Sequence, residues 1–142
     1  MKGFESNYQE KIGILITNLG TPDNPDPKSL RKYLKQFLSD KRVVDYNRLL
    51  WWLILNVIIL NVRPRKSAKL YESIWTDEGS PLLVNMQSIV KKLQARNKGF
   101  QIQLGMRYGN PSIEKALNYF KNQNIYKILV LPLYPCLLYT SP

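Results

Sequence analysis

The sequence contains no histidine, a single cysteine and few acidic residues. Without histidine, its 142 residues cannot supply a His-based catalytic triad, a His-ligated metal site or an imidazole general base. One cysteine, Cys136, cannot form an internal disulfide, and such low cysteine usage is typical of a reducing compartment. With 10 Asp+Glu against 21 Lys+Arg, the formal charge is +11, which favours anionic partners such as acidic lipid, nucleic acid or a small polyanion.

Long hydrophobic runs are also absent. The most apolar segment covers residues 49–62 and includes two asparagines, whereas a membrane-spanning helix needs roughly 20 apolar residues. Two interpretations stay open for this segment: a buried helix, which we expect for most of its side chains, or an apolar lip that contacts a membrane or an apolar ligand. Trp51 and Trp52, with basic residues on both sides, are typical of a membrane interface.

Hydrophobic periodicity predicts an α/β domain. Short apolar or alternating runs indicate strands, and apolar residues three or four positions apart indicate helices. Asp26 followed by Pro27 is typical of a helix start. Strands separated by helices predict a parallel, Rossmann-like sheet with flanking helices. The third strand is apolar enough to be central, so we expect the domain to be incomplete. The predicted strands cover 11–18, 100–106 and 125–133, and the predicted helices cover 28–38, 66–75, 82–95 and the residues that follow Asn110 and Pro111.

Three motifs could carry chemistry where open α/β sheets bind ligands, at the carboxyl ends of the strands. Glycine allows the backbone to approach a ligand, arginine can bind a carboxylate, and hydroxyl groups add neutral donors. On spacing alone, ordinary turns and solvated arginines explain the motifs as well or better, and no P-loop or GxGxxG pattern supports nucleotide binding. The motifs are 18–22, then Arg63, Tyr71 and 79–81, and finally 105–111.

Five motifs in order make the sequence similar to bacterial ferrochelatases: NLGTP, FLSDKRVVD, RPRKSAKLYESIWTDEGSPLL, LGMRYGNPSIEKAL and LVLPLYP. The resemblance implies insertion of ferrous iron into protoporphyrin IX, which forms protohaem in haem biosynthesis. It also implies two similar lobes with the porphyrin between them, of which residues 11–135 form the incomplete N-terminal one. Residues 1–10 are then a polar extension, and residues 136–142 a tail that does not fit the family.

The resemblance also implies roles for individual residues. Because the family's catalytic histidine and its partner glutamate lie in the C-terminal lobe, we expect no catalytic residue, resident metal or cofactor here, and no activity of the chain alone. The family's porphyrin-contacting positions correspond to Leu19, Arg63, Tyr71 and Ser80, and an active-site Arg–Tyr pair corresponds to Arg107 and Tyr108.

Alternative functions stay open. One is a relative that acts on another tetrapyrrole, such as coproporphyrin III or a sirohydrochlorin-type ring. Another is a basic, non-catalytic module that contacts a membrane through Trp51 and Trp52. Nucleic-acid binding is not favoured, because the sequence has no basic stripe interleaved with exposed aromatic residues. The polar N-terminus has no secretory signal, so we expect a cytoplasmic protein, and association with the periphery of the inner membrane stays open.

Overall fold

The computed structural model of the chain describes residues 11–134, so the predicted extension 1–10 and tail 136–142 lie outside the described residues. The strands are β1 (Ile12–Thr21), β2 (Phe100–Gly109) and β3 (Lys127–Pro132). The helices are α1 (Pro27–Leu38), α2 (Arg48–Leu53), α3 (Leu60–Ile74), α4 (Pro81–Arg96) and α5 (Ile113–Asn122), and a π-helical segment, Ile54–Ile59, joins α2 to α3.

The strands form a parallel sheet in the order β2-β1-β3. The chain moves outward from β1 to β2 and then crosses back to β3 on the other side. Crossovers between parallel strands are nearly always right-handed, so this reversal is expected to put the two helices that precede β2 and β3 on opposite faces. Met86 of α4 packs on the face that carries Ile16, whereas Phe120 of α5 packs on the face that carries Leu15. The predicted fold, a parallel α/β sheet with flanking helices, is confirmed.

Helix α1 begins where the sequence predicts it. The side chain of Asp26 accepts hydrogen bonds from the backbone N–H groups of Lys28 and Ser29, which have no partner inside the helix. A further hydrogen bond from the Ser29 hydroxyl is the largest cause of the lowered pKa of Asp26. Pro27 occupies the first helical position, where its missing N–H group costs no hydrogen bond.

Strands β1 and β2 are longer than predicted. We expected β1 to end at Asn18 with a break at Gly20, but the strand continues to Thr21. The extension is paired, because Gly20 lies opposite Tyr108, and Thr21 opposite the last residue of β2. Pattern reasoning missed these residues because glycine and threonine next to a proline usually indicate a turn, whereas here inter-strand pairing holds them extended.

The third strand, which is apolar enough for a central position, lies at an edge of the sheet in the part of the chain that the structure describes. Within residues 11–134, β3 pairs only with β1 and forms one edge of the sheet. Two of its apolar side chains, Leu129 and Val130, are 53% and 52% exposed. An apolar composition indicates that a strand is to be covered on both faces, but it does not determine the order of the strands.

The apolar segment 49–62 is helical, and the expectation that most of its side chains are buried was wrong. Leu55 and Leu60 are buried and pack with Leu38 of α1. A helix presents one stripe to its neighbour, so a segment that is apolar all round leaves the remaining side chains uncovered. We call the exposed apolar residues the apolar lip: Leu49, Leu50, Trp52, Leu53, Val57, Ile58 and Val62.

Candidate functional site

The carboxyl ends of β1 and β2 bring two of the three motifs side by side. Gly20 and Thr21 of the first motif pair with Tyr108 and Gly109 of the third. Leu19, the residue before this pairing, is half-buried, and its backbone N–H donates to the side-chain oxygen of Asn18 (2.7 Å). The first and third motifs therefore form one continuous edge, as expected for a parallel sheet.

Ser80 joins the second motif to the same edge. It lies at the start of α4, is only 4% exposed, and its hydroxyl oxygen is 2.8 Å from that of Thr21. The preceding turn is closed by backbone hydrogen bonds in both directions between Thr76 and Gly79. Because a buried hydroxyl needs a partner, the bond to Thr21 both satisfies Ser80 and attaches α4 to the end of β1.

Arg107 and Tyr108 meet at one carboxylate. Oδ2 of Asp40, in the loop after α1, accepts from Nη2 of Arg107 (2.7 Å) and from the Tyr108 hydroxyl (2.9 Å). The backbone N–H of Arg42 and these two side chains lower the pKa of Asp40 to about 2. The carboxylate therefore stays ionised well below neutral pH, and its ion pair with Arg107 persists.

Aromatic side chains of α1 pack beside Tyr108 and the end of β1. The Tyr33 hydroxyl donates to the carbonyl oxygen of Gly20 (3.2 Å), and the Phe37 ring meets the Tyr108 ring edge-on at 5.2 Å. Burial raises the pKa of Tyr33 and also the pKa of Tyr71. These phenols therefore remain protonated at neutral pH and serve as neutral hydrogen-bond donors.

Arg63 and Tyr71 both lie on α3, but the structure does not bring them into contact. Eight residues of helix separate them by roughly 12 Å along the axis. Tyr71 is half-buried and packs against the Trp75 ring at 6.3 Å. Arg63 is exposed, and within residues 11–134 it forms no ion pair. Its positive charge is therefore available to a ligand.

The two tryptophans of the apolar segment have different environments. Trp52 is 63% exposed and belongs to the apolar lip. Trp51 is partly buried, because its indole N–H donates to the carbonyl oxygen of Leu38 (2.7 Å) and its ring stacks on Tyr46. No helix among the described residues is long and apolar enough to cross a membrane.

Two residues that matter to this geometry, Asp40 and Thr21, were not predicted as site residues. Asp40 is 67 positions from Arg107 in the chain, and no sequence pattern relates the two. Thr21 lies inside the first motif but reads as an ordinary turn residue. The part of the chain that the structure describes contains no group of three or more His, Cys, Asp or Glu side chains that could hold a metal ion.

Comparison with known proteins decides the family. Residues 11–141 match the family model described as ferrochelatase. The chain belongs to the ferrochelatase family. Among curated relatives, the ferrochelatase of Thioalkalivibrio sulfidiphilus is 56% identical over 140 residues, and that of Chromobacterium violaceum 52% identical over 137. These alignments cover 92% and 93% of this chain.

The chain spans 38% of the length of these curated ferrochelatases. A third relative, the ferrochelatase of Alcanivorax borkumensis, is 52% identical over 130 residues and gives the same coverage of 38%. None of the solved structures matches the chain significantly. The assignment to the family therefore depends on sequence similarity, independently of the geometry at the carboxyl edge of the sheet.

Proposed function

We propose that this chain is the porphyrin-binding part of a ferrochelatase that inserts ferrous iron into protoporphyrin IX to form protohaem. Iron and porphyrin are the substrates of the whole protein, and Leu19, Arg63, Tyr71 and Ser80 contact the ring or its propionates. The relatives' shared name supports the reaction. Coproporphyrin III is the alternative substrate, because its four propionates would also suit a basic protein.

One observation carries the proposal. The family resemblance implies porphyrin binding for Leu19 and Ser80 and an active-site role for Tyr108. These residues come from separate parts of the sequence, yet they lie at the same carboxyl edge of the sheet. Open α/β sheets bind ligands at this edge. A flat, apolar and dianionic ring needs apolar or aromatic walls and a few fixed donors, which this edge combines.

The charges favour Arg63 as the partner of the propionates. Arg107 already forms an ion pair with Asp40, so it presents hydrogen-bond donors with little net charge. Arg63 keeps its full charge, because it forms no ion pair within the described residues. A guanidinium group can hold a carboxylate by two parallel hydrogen bonds.

The chain alone is expected to bind porphyrin without inserting iron. Insertion removes two protons from the pyrrole nitrogens and therefore needs a base. The sequence has no histidine. Asp40, with a pKa of about 2, is a poor base, and the raised pKa of Tyr108 keeps its phenol protonated. The family resemblance implies that the base lies in the second lobe.

Titration of the chain with protoporphyrin IX tests this proposal. We expect saturable changes in Soret absorbance and tryptophan fluorescence, and about tenfold weaker binding in Arg63→Ala because a charge-assisted contact is lost. Arg96→Ala, at the far end of α4, is the matched control and should bind normally. A parallel assay with ferrous iron should give no insertion.

Three results would count against the proposal: no binding by a folded chain, equal affinity of Arg63→Ala and wild type, or insertion by the chain alone. Tighter binding of coproporphyrin III than of protoporphyrin IX in the same titration would favour the alternative substrate.

We further propose that the apolar lip contacts the membrane surface, which would keep a cytoplasmic protein at the periphery of the inner membrane. The observation that favours this contact is the exposure of seven large apolar side chains on one helical segment. Arg48 precedes the segment, and Arg63, Arg65 and Lys66 follow it. Such a basic border suits the acidic headgroups beside the apolar region of a bilayer.

The two tryptophans provide a matched test of the membrane contact. We expect Trp52→Ala to weaken binding to vesicles of acidic phospholipid about tenfold in co-sedimentation, with an unchanged melting temperature, since Trp52 is exposed. Trp51→Ala should instead lower the free energy of unfolding by about 2 kcal/mol, because it removes packing and a hydrogen bond. Equal vesicle binding by Trp52→Ala and wild type would contradict the proposed contact.

A further inference from the structure

We propose that Asp40 is a positioning residue that holds Arg107 and Tyr108 in the orientation in which they face the porphyrin. This inference rests on the proposed function, since it takes the Arg–Tyr pair to face the ring. Asp40 lies two residues after the end of α1, in the FLSDKRVVD motif, to none of whose residues we assigned an individual role from the sequence.

The first argument is the geometry of adjacent side chains on a strand. Neighbouring residues on a strand point to opposite faces of the sheet. Arg107 and Tyr108 are neighbours on β2, yet both donate to the same atom, Oδ2 of Asp40. Strand β2 is an outer strand in the described sheet, and the loop after α1 brings Asp40 within hydrogen-bond distance of both side chains. Within residues 11–134, Asp40 is the acceptor that the two side chains share.

The second argument is that Asp40 itself is fixed from several sides. Its other oxygen, Oδ1, accepts from the backbone N–H of Arg42 (3.0 Å). Its own backbone N–H donates to the carbonyl oxygen of Phe37, and its carbonyl oxygen accepts from the N–H groups of Val43 and Val44. A carboxylate held in this way can impose an orientation on its partners, whereas a free side chain would follow them.

The third argument is that Arg107 is drawn back toward its neighbour. The guanidinium carbon lies 5.7 Å from the centre of the Tyr108 ring, within the range of a cation–π contact. The Arg107 side chain is 37% exposed, so it has room to extend into solvent if its contacts with Asp40 and Tyr108 are lost. Asp40, Arg107 and Tyr108 line a groove that Lys32 also borders, and Lys32 is paired with Asp23.

Asp40 also ties this pair to the rest of the site. One turn earlier in α1, the side-chain oxygen of Gln36 accepts from the backbone N–H of Gly109 (3.0 Å), so the end of α1 holds the end of β2 at two points. The two contacts differ in kind: Gln36 fixes the backbone of β2, and Asp40 fixes its side chains. Variants of these two residues therefore separate positioning of the strand from positioning of the Arg–Tyr pair.

Protoporphyrin IX titration of the chain tests the functional part of this inference. We expect Asp40→Asn to bind about tenfold more weakly, because asparagine keeps the size but loses the charge. Arg107→Ala should show a similar loss. The double variant should lose no more than either single one, since both changes remove the same arrangement. Asp40→Glu, which restores the charge, should recover part of the affinity. Asp45→Asn, an exposed aspartate in the same loop, is the control and should bind normally.

Arginine side-chain NMR tests the positioning without porphyrin. In the wild type, the Arg107 guanidinium signal, assigned by its loss in Arg107→Lys, should show slow rotation, because Asp40 holds one amino group. We expect this signal to shift and broaden in Asp40→Asn and to be retained in Gln36→Ala and Asp45→Asn. Melting temperatures of all variants show whether each one is folded.

The outcomes are separable. An unchanged Arg107 signal in Asp40→Asn overturns the inference, as does an additive loss of affinity in the double variant. If the wild-type chain does not bind protoporphyrin IX, the proposed function of the chain fails, and the inference that Asp40 positions the pair toward a porphyrin fails with it. If the wild type binds and only Arg107→Ala weakens binding, the proposed function stands and Asp40 has no positioning role.

Discussion

Gly20→Ala is expected to destabilise the fold by about 4 kcal/mol or more, one of the largest losses from a single methyl group in this chain. Gly20 has φ +113°, which residues with a Cβ rarely adopt. An added Cβ would also overlap the backbone carbonyl oxygen of Tyr108 on the paired strand. Backbone cannot move aside as a side chain can, so β1 and β2 must separate where the candidate site lies.

Two other glycines separate the effect of the positive φ from the effect of the overlap with the Tyr108 backbone. Gly79 has a similar φ of +116°, but a Cβ there would meet nothing within 4 Å. Gly79→Ala should therefore lower the free energy of unfolding only through the strained φ, by about 1–2 kcal/mol. Gly99 has no positive φ and open space, so Gly99→Ala should change stability by about 0.5 kcal/mol or less.

Urea unfolding followed by circular dichroism measures the three variants on one scale. The expected order of destabilisation is Gly20→Ala, then Gly79→Ala, then Gly99→Ala. Equal losses for Gly20→Ala and Gly79→Ala would mean that the close approach of Gly20 to Tyr108 does not occur in the folded protein.

Phe120→Ala is expected to lower the free energy of unfolding by about 4 kcal/mol, because it removes a large, fully buried ring and leaves a cavity. Phe120 of α5 is 0% exposed and packs with Leu15 of the central strand and with Ile125. Its ring also lies so close to Gly13 that a Cβ there would come within about 3 Å of it. The cavity would therefore open directly against β1.

Leu117→Ala is the matched control on the same helix. Leu117 is 42% exposed, so its truncation should cost less than about 1 kcal/mol. Both variants can be compared by urea unfolding, and the slope of the transition shows whether the unfolded state has changed as well. A loss below about 1.5 kcal/mol for Phe120→Ala would contradict the packing of α5 on this face.

Local patterns were sufficient for the secondary structure and for the class of fold. Asp26 and Pro27 determine the start of α1 through side-chain caps and a restricted φ, and both act over a few residues. The alternation of strands and helices predicted a parallel sheet, because a helix between two strands returns the chain to the same end of the sheet. The strand ends were predicted less well, since Gly20 and Thr21 are extended only because β2 lies beside them.

The candidate site shows where local information ends. Arg107, Tyr108 and Ser80 were identified by the family resemblance, which depends on motif order and not on distance. The carboxylate that binds the first two, Asp40, could not be predicted, because a hydrogen bond across 67 residues leaves no local pattern. The hydroxyl pair of Thr21 and Ser80, 59 residues apart, was missed for the same reason.

The apolar segment 49–62 shows most clearly the difference between what the sequence determines and what the tertiary structure decides. Its length and composition by themselves indicated that it is too short to span a bilayer, and they left two interpretations open, a buried helix and an exposed apolar lip. Only the tertiary structure decided which side chains face α1, namely Leu55 and Leu60, and which form the apolar lip. The physical reason is that hydrophobicity depends on each residue alone, whereas burial depends on the surface that distant parts of the chain present to it.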